Sequence, residues 1–386
     1  MRLSLSIKAL DLRCLDPLLL GFMAALVLVG FVAMSSASME YAYVQYNDSF
    51  YHVVRHSVYL ILASIAAVAV YQLPMSFWQQ QGWVLLPVAF GLLVMVLIPG
   101  VGREVNGSQR WVALGPLTLQ VSELVKICVL IYIAGYLVRR EKEVRQRLSG
   151  FLKPMIVMSG IVVLLLAEPD FGAVVVIMGT VLGMMFLAGA RLSQFVLLLT
   201  GCLGAAALMV FSSAYRMKRL VAFTDPWADQ YGSGYQLVQS LIAFGRGELF
   251  GVGLGNSVQK LFYLPEAHTD FVFAILAEEM GAVGSVLAIA LFAALIARIF
   301  IVARKAEQAG QYFGAYIAYG TGLLMAIQVF INIGVNVGIL PTKGLTLPFF
   351  SYGGSSLIAC FVMLALVFRV DKECQHGAGE NPEVSE

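Results

Sequence analysis

The sequence predicts an all-α polytopic membrane protein with about ten transmembrane helices, and two observations carry this prediction. Of the 386 residues, 60% are hydrophobic and only 12% are charged, whereas about one quarter of a soluble globular chain is charged. Apolar stretches of about 20 residues recur along the chain, which is the length that a helix needs to cross the hydrocarbon core of a bilayer. Most of the chain therefore has lipid as its solvent.

The apolar stretches give approximate limits for each span. The predicted spans are 18–38, 54–73, 83–100, 117–138, 151–167, 171–189, 193–212, 271–302, 312–336 and 350–370. The first span follows a basic segment, as a signal peptide would. It is longer than a usual signal h-region, and no small-residue cleavage site clearly follows it, which favours a retained helix.

The distribution of Lys and Arg predicts that both termini are cytoplasmic. With this orientation the internal segments hold 15 of these residues, and the short external loops hold four. Short cytoplasmic loops carry the excess of positive charge in membrane proteins, whereas long loops translocate largely regardless of charge. The sequence thus divides into a cytoplasmic segment 1–17, a membrane domain 18–370 and a cytoplasmic tail 371–386 that we expect to be disordered.

A large periplasmic loop, about 213–270, separates the seventh and eighth spans. It contains an amphipathic run, Tyr235, Val238, Leu241 and Ile242, which predicts a helix lying on the outer membrane surface. We interpret the loop as an external cap over an active site.

Several classes of function are excluded by composition or context. A net charge of +2 gives no clustered basic face for nucleic acid. The five cysteines lie outside the predicted external loops, so a disulfide framework is not expected. The glycine-rich run Gly251–Gly255 follows no predicted strand, and a loop is therefore favoured over a dinucleotide site.

Asp270 is the leading candidate for catalysis, because ionisable residues at membrane depth are costly and mark functional sites. It follows a turn, Leu264–Thr269, and precedes a long apolar helix at the external surface. Such a carboxylate could act as a general base on a substrate hydroxyl. A second interpretation stays open, in which Thr269 or Asp270 simply caps that helix.

Other charged residues lie towards the same external side. Arg103, Arg110, Lys126 and Lys343 could hold an anionic headgroup, although interfacial anchoring also explains Arg103 and Arg110. Asp170 lies in a turn, where it is either a cap or a site residue. The remaining candidates are Glu123, near Lys126, and His268, which could share a metal with Asp270, although two ligands are poor evidence for a metal site.

Four sequence blocks together resemble the SEDS (shape, elongation, division, sporulation) family. They are Gly102–Trp111 with Gln120–Lys126, then Pro169–Gly172, Leu264–Glu279 and Pro341–Ser356. The blocks extend over essentially the whole membrane region. Within the family, the third and fourth blocks look like the division branch rather than the elongation branch.

The resemblance implies a ten-helix fold and an enzyme of the inner membrane that polymerises lipid II into glycan strands on the periplasmic side. It implies that Asp270 is the essential carboxylate, and that the partners are the class B penicillin-binding protein FtsI and divisome proteins such as the FtsQ-FtsL-FtsB complex. In this mechanism Arg103, Lys126 and Lys343 stabilise the leaving pyrophosphate, with Mg²⁺ or Mn²⁺ as an expected divalent cation. Asp170 and Glu123 would orient the basic side chains or the metal.

Three other functions remain open from the sequence. A lipid II flippase would also use intramembrane charges and ten spans, but it needs a polar path to the inner leaflet, whereas the candidate residues lie outside. A noncatalytic divisome scaffold would not need the external carboxylates. An elongation glycosyltransferase belongs to the same class of enzyme.

Overall fold

The computed structural model describes residues 15–105, 108–115, 117–211, 217, 223–342 and 344–379. Within them eight helices are long and apolar enough to cross a membrane, and two shorter apolar helices bring the total to the predicted ten. The prediction of an all-α polytopic membrane fold is therefore confirmed.

The helices, numbered in chain order, include ten apolar helices and two that lie outside the apolar core. They are α1 (Pro17–Tyr46), α2 (Tyr51–Gln72), α3 (Met75–Leu97), α4 (Val121–Arg139), α5 (Glu141–Gln146), α6 (Leu148–Ala167), α7 (Phe171–Leu187), α8 (Leu192–Phe211), α9 (Tyr235–Gly247), α10 (Val272–Gln308), α11 (Tyr312–Asn336) and α12 (Gly354–Gly379). A 3₁₀ turn at Pro226–Asp229 and a π turn at Gln259–Tyr263 lie in the loop between α8 and α10.

A small antiparallel sheet, β1 (Gly102–Val105), β2 (Ser108–Leu114) and β3 (Leu117–Gln120), precedes α4. It corrects the predicted fourth span, which begins at Val121 rather than at 117. The apolar residues Leu117 and Leu119 alternate with polar ones, as in a strand with one buried face, and Leu119 pairs with Val112 of β2. The backbone N–H of Gln120 donates to Ser355 Oγ over 2.8 Å, which joins the sheet to the start of α12.

The chain crosses the bundle alternately, so that the sheet, the α6–α7 turn, residues 223–271 and the segment between α11 and α12 all lie at one end. We call this the outer end, following the charge distribution. Three helices form the centre of the bundle, with 78% of the apolar window of α4, 61% of α11 and 83% of α12 buried. Polar residues on these helices therefore face protein rather than lipid. Cys128 and Cys360, on α4 and α12, are buried free thiols.

Helix α10 is broken at Gly281, which has φ 68° and ψ −167°. The backbone N–H groups of Val252 and Gly253 donate to the carbonyls of Glu278 and Glu279 over 3.0 and 3.1 Å. A Cβ atom at Gly251 would lie 2.1 Å from the Glu279 oxygen. Gly251 thus allows two backbones to approach closely, and the run 251–255 forms a loop, as the loop interpretation predicts.

Helix α9 confirms the predicted amphipathic helix in the long loop. Its buried residues include Leu237, Val238 and Ala243, and Ser240 Oγ donates to the carbonyl of Asn336 over 2.7 Å. This face packs against α10 and the outer end of α11, so the helix is part of the protein rather than a purely membrane-surface element.

The predicted disorder of the tail is wrong for residues 371–379, because α12 continues as a helix to Gly379. Side-chain pairs one turn apart stabilise the extension: Arg369 Nε donates to Glu373 over 2.7 Å and Gln375 to Asp371 over 2.6 Å. Glu373 also accepts the backbone N–H of Met75 at the start of α3. Residues 380–386 and most of the predicted segment 1–17 lie outside the described residues.

Candidate active site

Arg110, on β2, reaches across the outer end to the turn between α6 and α7. Its Nε donates to the carbonyl of Glu168 over 3.3 Å, its Nη2 donates to the carbonyl of Pro169, and its Nη1 lies 3.8 Å from Asp170 Oδ1. Strand β2 makes this reach possible because side chains alternate between its two faces. The structure therefore supports a site position for Arg110 rather than simple interfacial anchoring.

Asp170 caps α7, as one of its two interpretations predicts, and its site role stays a prediction. Its Oδ1 accepts the backbone N–H of Ala173 over 3.1 Å and caps α7, while the same carboxylate faces Arg110. Glu168, two residues earlier, is fully buried, and neither of its carboxyl oxygens has a hydrogen-bond partner among the described residues. Burial, reinforced by the negative charge of Asp170, raises the pKa of Glu168 to about 8 against the attraction of Arg110.

Asp270 does not cap α10. The N-cap position is Phe271, with no side-chain hydrogen bond, and the hydroxyl of Thr269 donates to Glu266 instead. The interpretation of Asp270 or Thr269 as a helix cap is therefore wrong. The Asp270 carboxyl is partly exposed, and it accepts no hydrogen bond from the described part of the chain.

Two asparagines hold the backbone of Asp270 in place. Asn332 Nδ2 and Asn336 Nδ2, one turn apart on α11, each donate to the Asp270 carbonyl over 3.0 Å. The carboxylate lies against Gly344, where a Cβ atom would be 2.9 Å from Asp270 Oδ2. A rigidly supported backbone with a free carboxyl group is the arrangement that a general base requires.

The surroundings of Asp270 tune its protonation near neutrality. Burial raises the pKa of the Asp270 carboxyl to about 7, the negative charge of Glu266 adds to this rise, and the positive charge of Arg110 opposes it. Arg110 therefore lies within electrostatic range of both Asp170 and Asp270. A base with a pKa near the working pH combines a useful ionised fraction with proton affinity.

Lys126 and Glu123 form a buried ion pair on α4, with side-chain exposures of 2% and 6% and an N–O distance of 2.8 Å. Lys126 also donates to Gln328 Oε1 over 3.2 Å, and Gln328 Nε2 donates to the carbonyl of Thr346 over 3.0 Å. The pair is thus connected to the segment that faces Asp270. Lys126 lies inside this network rather than on an exposed surface, which corrects its prediction as a direct ligand of the pyrophosphate.

Three other predicted site residues lie elsewhere or outside the description. Arg103 is exposed on β1, opposite Trp111, with no ion pair to the described residues. The ring of His268 packs against aromatic side chains, and a metal shared with Asp270 stays a prediction. Lys343 lies outside the described residues, so its role stays a prediction.

Sequence reasoning missed the polar face of α11. Gln328, Asn332 and Asn336 recur every four residues in an otherwise apolar helix and therefore line one face. Polar residues at membrane depth with this spacing are a signal that could have been used. Glu266 is a further residue near Asp270 that the sequence did not single out, whereas Glu168 stands out in the sequence as an ionisable residue at membrane depth, together with Asp170.

The predicted divalent cation finds no ready-made protein site. Within the described residues no three His, Cys, Asp or Glu side chains lie together in a metal-binding arrangement. Mg²⁺ in phosphate-processing sites is usually held by one or two carboxylates with substrate phosphates, and the side chains around Asp270 offer no more than that. The metal stays a prediction.

The fold and site together define a multi-pass membrane protein with a carboxylate and arginine site at the outer end of its helix bundle. The family model FtsW/RodA/SpoVE, described as a cell cycle protein, matches residues 16–376. The chain belongs to this family, as the resemblance to the SEDS blocks predicted.

Relatives and solved structures agree with this assignment. The chain is 54% identical to two proteins named probable peptidoglycan glycosyltransferase FtsW, one from Pseudomonas fluorescens and one from Hahella chejuensis. Each match covers 96% of this chain, together with 91% of the first relative and 94% of the second. It is also similar to a chain in a solved structure described as "Structural coordination of polymerization and crosslinking by a peptidoglycan synthase complex". That match has a TM-score of 0.75 and 32% identity, and it covers 93% of this chain and 98% of the other. The crystal structure of RodA, a rod shape determining protein of Thermus thermophilus, matches with a TM-score of 0.68, 30% identity and coverages of 93% and 97%.

Proposed function

We propose that this protein is a peptidoglycan glycosyltransferase that polymerises lipid II into glycan strands during cell division. One observation carries the proposal: the Asp270 carboxyl is free of hydrogen bonds from the described residues, while its backbone is fixed by Asn332 and Asn336. The names of the FtsW relatives support the reaction class. Their identity of 54%, against 30% for RodA, favours the division branch over elongation.

In the proposed reaction Asp270 is the general base. The oxygen of the acceptor GlcNAc 4-hydroxyl attacks the anomeric carbon of the donor, and its proton passes to the Asp270 carboxylate. The new glycosidic bond forms as the bond from the anomeric carbon to the pyrophosphate oxygen breaks, with inversion, and undecaprenyl pyrophosphate leaves with the electron pair. General-base catalysis of this kind contributes about 10²–10⁴-fold in rate.

Arg110 is the described cation best placed to offset the charge that develops on the pyrophosphate. Its side chain is 24% exposed, and its guanidinium is oriented by Asp170 and by the carbonyls of the α6–α7 turn. Lys126 and Glu123 act as positioning residues, because their pair holds Gln328 and through it the segment that faces Asp270. Lys343, next to Gly344, remains the expected second pyrophosphate ligand.

A flippase is disfavoured by the distribution of buried polar groups. Lys126 lies about 1.5 turns into α4, and the buried residues that follow it on that helix are almost entirely apolar, including Val129, Leu130, Ile133 and Leu137. A path for a charged headgroup must continue to the inner leaflet. The network of Glu123, Lys126 and Gln328 lies towards the outer end, and the apolar stretch of α4 separates it from the ion pairs at the inner end, such as Arg298 with Asp16.

The partner and the place of action belong to the same proposal. A class B penicillin-binding protein such as FtsI would crosslink the strands, which the similarity to a peptidoglycan synthase complex supports. The FtsQ-FtsL-FtsB complex would bring the enzyme to the division septum and control its activity.

Polymerisation of purified lipid II by the detergent-purified protein with its penicillin-binding partner tests this proposal. We expect glycan polymer from the wild type and none from Asp270→Asn at equal amounts of folded protein. If the wild type translocates lipid II in liposomes but makes no polymer, the proposal is contradicted and the flippase interpretation is favoured.

A further inference from the structure

A connected group of aromatic rings lies at the outer end, between α1, α2 and the turn before α10. Tyr41 packs against His268 with ring centroids 4.9 Å apart, and His52 lies 5.1 Å from His268 and 4.6 Å from Tyr352. Tyr46 stacks on Tyr51 at 3.9 Å with an interplanar angle of 16°. We call this group the ring cluster; its members are Tyr41, Tyr46, Tyr51, His52, His268 and Tyr352.

The ring cluster is exposed at one side and buried at the other. Tyr41 and Tyr46 are 38% and 45% exposed, whereas His52 is 5% exposed. Neither ring nitrogen of His52 has a hydrogen-bond partner among the described residues. His52 lies behind the two tyrosines, with ring centroids 5.8 Å from Tyr41 and 5.6 Å from Tyr46, so it supports these rings while their exposed faces stay open to a ligand.

The ring cluster is continuous with the site around Asp270. His268 lies two residues before Asp270, and the His268 carbonyl accepts the backbone N–H of Tyr352 over 2.8 Å. Glu266 lies within electrostatic range of both the Asp270 carboxyl and the Tyr41 hydroxyl. A ligand that extended from the Asp270 carboxylate towards the surface would therefore meet these rings.

We propose that the ring cluster is a saccharide subsite, which holds an N-acetylhexosamine ring of the glycan next to the reacting sugar. This inference rests on the proposed function. A pyranose ring offers an apolar C–H face that can pack on the exposed face of Tyr41 or Tyr46, while its hydroxyl and amide groups stay in contact with water. Aromatic surfaces with a few placed polar groups are typical of small-ligand sites.

Tyr43 separates this proposal from simple anchoring at the membrane interface, where tyrosines are common. It lies on α1 between Tyr41 and Tyr46 and is 54% exposed, but it belongs to none of the ring pairs of the cluster. An interfacial anchor would use all three tyrosines, whereas a saccharide subsite would use only the two in the cluster.

The test is binding of the soluble N-acetylglucosamine tetramer to the full-length protein in detergent, measured by calorimetry and saturation-transfer NMR. We expect Tyr41→Ala and Tyr46→Ala to weaken binding roughly three- to tenfold, since each substitution removes a ring on which the sugar would pack. Tyr43→Ala and Tyr41→Phe should bind within about twofold of the wild type, because the first lies outside the cluster and the second keeps the ring.

Binding that is absent from the wild type, or weakened as much by Tyr43→Ala as by Tyr41→Ala, would overturn the subsite.

Product length from lipid II gives a second measurement, and we expect shorter strands from Tyr41→Ala and Tyr46→Ala. If the wild type makes no polymer but binds the tetramer with the expected pattern, the proposed function fails and the subsite stands. If the wild type makes polymer while all variants bind the tetramer and extend strands equally, the subsite alone fails.

Discussion

Asp270 and the pair Glu278 and Glu279 lie on the same short stretch of chain, yet their carboxylates have opposite surroundings. Glu278 and Glu279 are almost completely buried and accept several hydrogen bonds and ion pairs from the loop before α10. Their donors are Arg246, Ser257, Val258, Gln259 and Lys260, together with Ser36 of α1. The Asp270 carboxyl is partly exposed and accepts none from the described residues.

The difference separates a structural use of charge from a chemical one. A buried carboxylate with its full set of donors is held in one protonation state and fixes the loop against the helix. A carboxylate whose backbone is fixed but whose oxygens are free can exchange a proton with a substrate. Burial and negative charge alone do not identify a catalytic residue. Asp270 combines missing partners with partial exposure, whereas Glu168, which also lacks partners, is fully buried.

The largest expected effect is on turnover in the variant Asp270→Asn. The amide cannot accept the hydroxyl proton, so lipid II polymerisation should fall about 10²–10⁴-fold. The unfolding temperature should stay close to that of the wild type, because no described residue donates to this side chain. A large loss of thermal stability would show that Asp270 is structural, like Glu278 and Glu279.

Glu279→Gln should have the converse effect, with a large loss of stability. Removing one partner of a buried ion pair typically costs about 3–5 kcal/mol, and Lys260 Nζ lies 2.8 Å from Glu279. Thermal unfolding in detergent measures the effect. The double variant Glu279→Gln with Lys260→Met should recover part of the loss, since no unpaired ammonium then remains buried; equal stability of the two variants would contradict the ion-pair interpretation.

Gly281→Ala tests whether the same loop depends on the break in α10. A Cβ atom at this position would lie 2.4 Å from the backbone nitrogen of Gly251, and φ 68° disfavours any side chain. We expect a loss of about 2–4 kcal/mol in the free energy of unfolding, measured by thermal unfolding. Gly245→Ala is the matched control, because its Cβ meets no atom within 4 Å and the substitution should be neutral or slightly stabilising.

The smallest effect is a shift in the pH dependence of polymerisation. Asp270 acts as a base only when it is ionised, so activity should rise with pH through a midpoint near its pKa of about 7. Glu266→Gln removes a charge that raises this pKa and should move the midpoint down, whereas Arg110→Gln removes a charge that lowers it and should move the midpoint up. We expect shifts of up to about one pH unit, read from kcat/KM profiles, and shifts of the same sign would contradict the arrangement.

The transmembrane helices could be predicted from the sequence because their hydrophobicity and length are set by the bilayer. The sheet before α4 was missed, since Leu117 and Leu119 are apolar enough to join a span when read by hydropathy alone. The prediction for Lys126 was right about its unusual depth and wrong about its contact, because the partner Gln328 lies on a distant helix. Free and engaged carboxylates are likewise indistinguishable in sequence, as Asp270 and Glu279 show.

The break at Gly281 has a consequence for biosynthesis. The part of α10 from 282 to 308 is about 40 Å long at ~1.5 Å per residue, which by itself exceeds the ~30 Å hydrocarbon core. It can therefore insert as an independent span when it leaves the ribosome. The part before the break, which follows Asp270, depends on partners outside the helix: the Glu278 and Glu279 carbonyls accept the backbone N–H groups of Val252 and Gly253, and the Ala274 N–H donates to Asn336. We therefore expect the candidate site to form after insertion, when the loop before α10 folds onto helices that are already in the membrane.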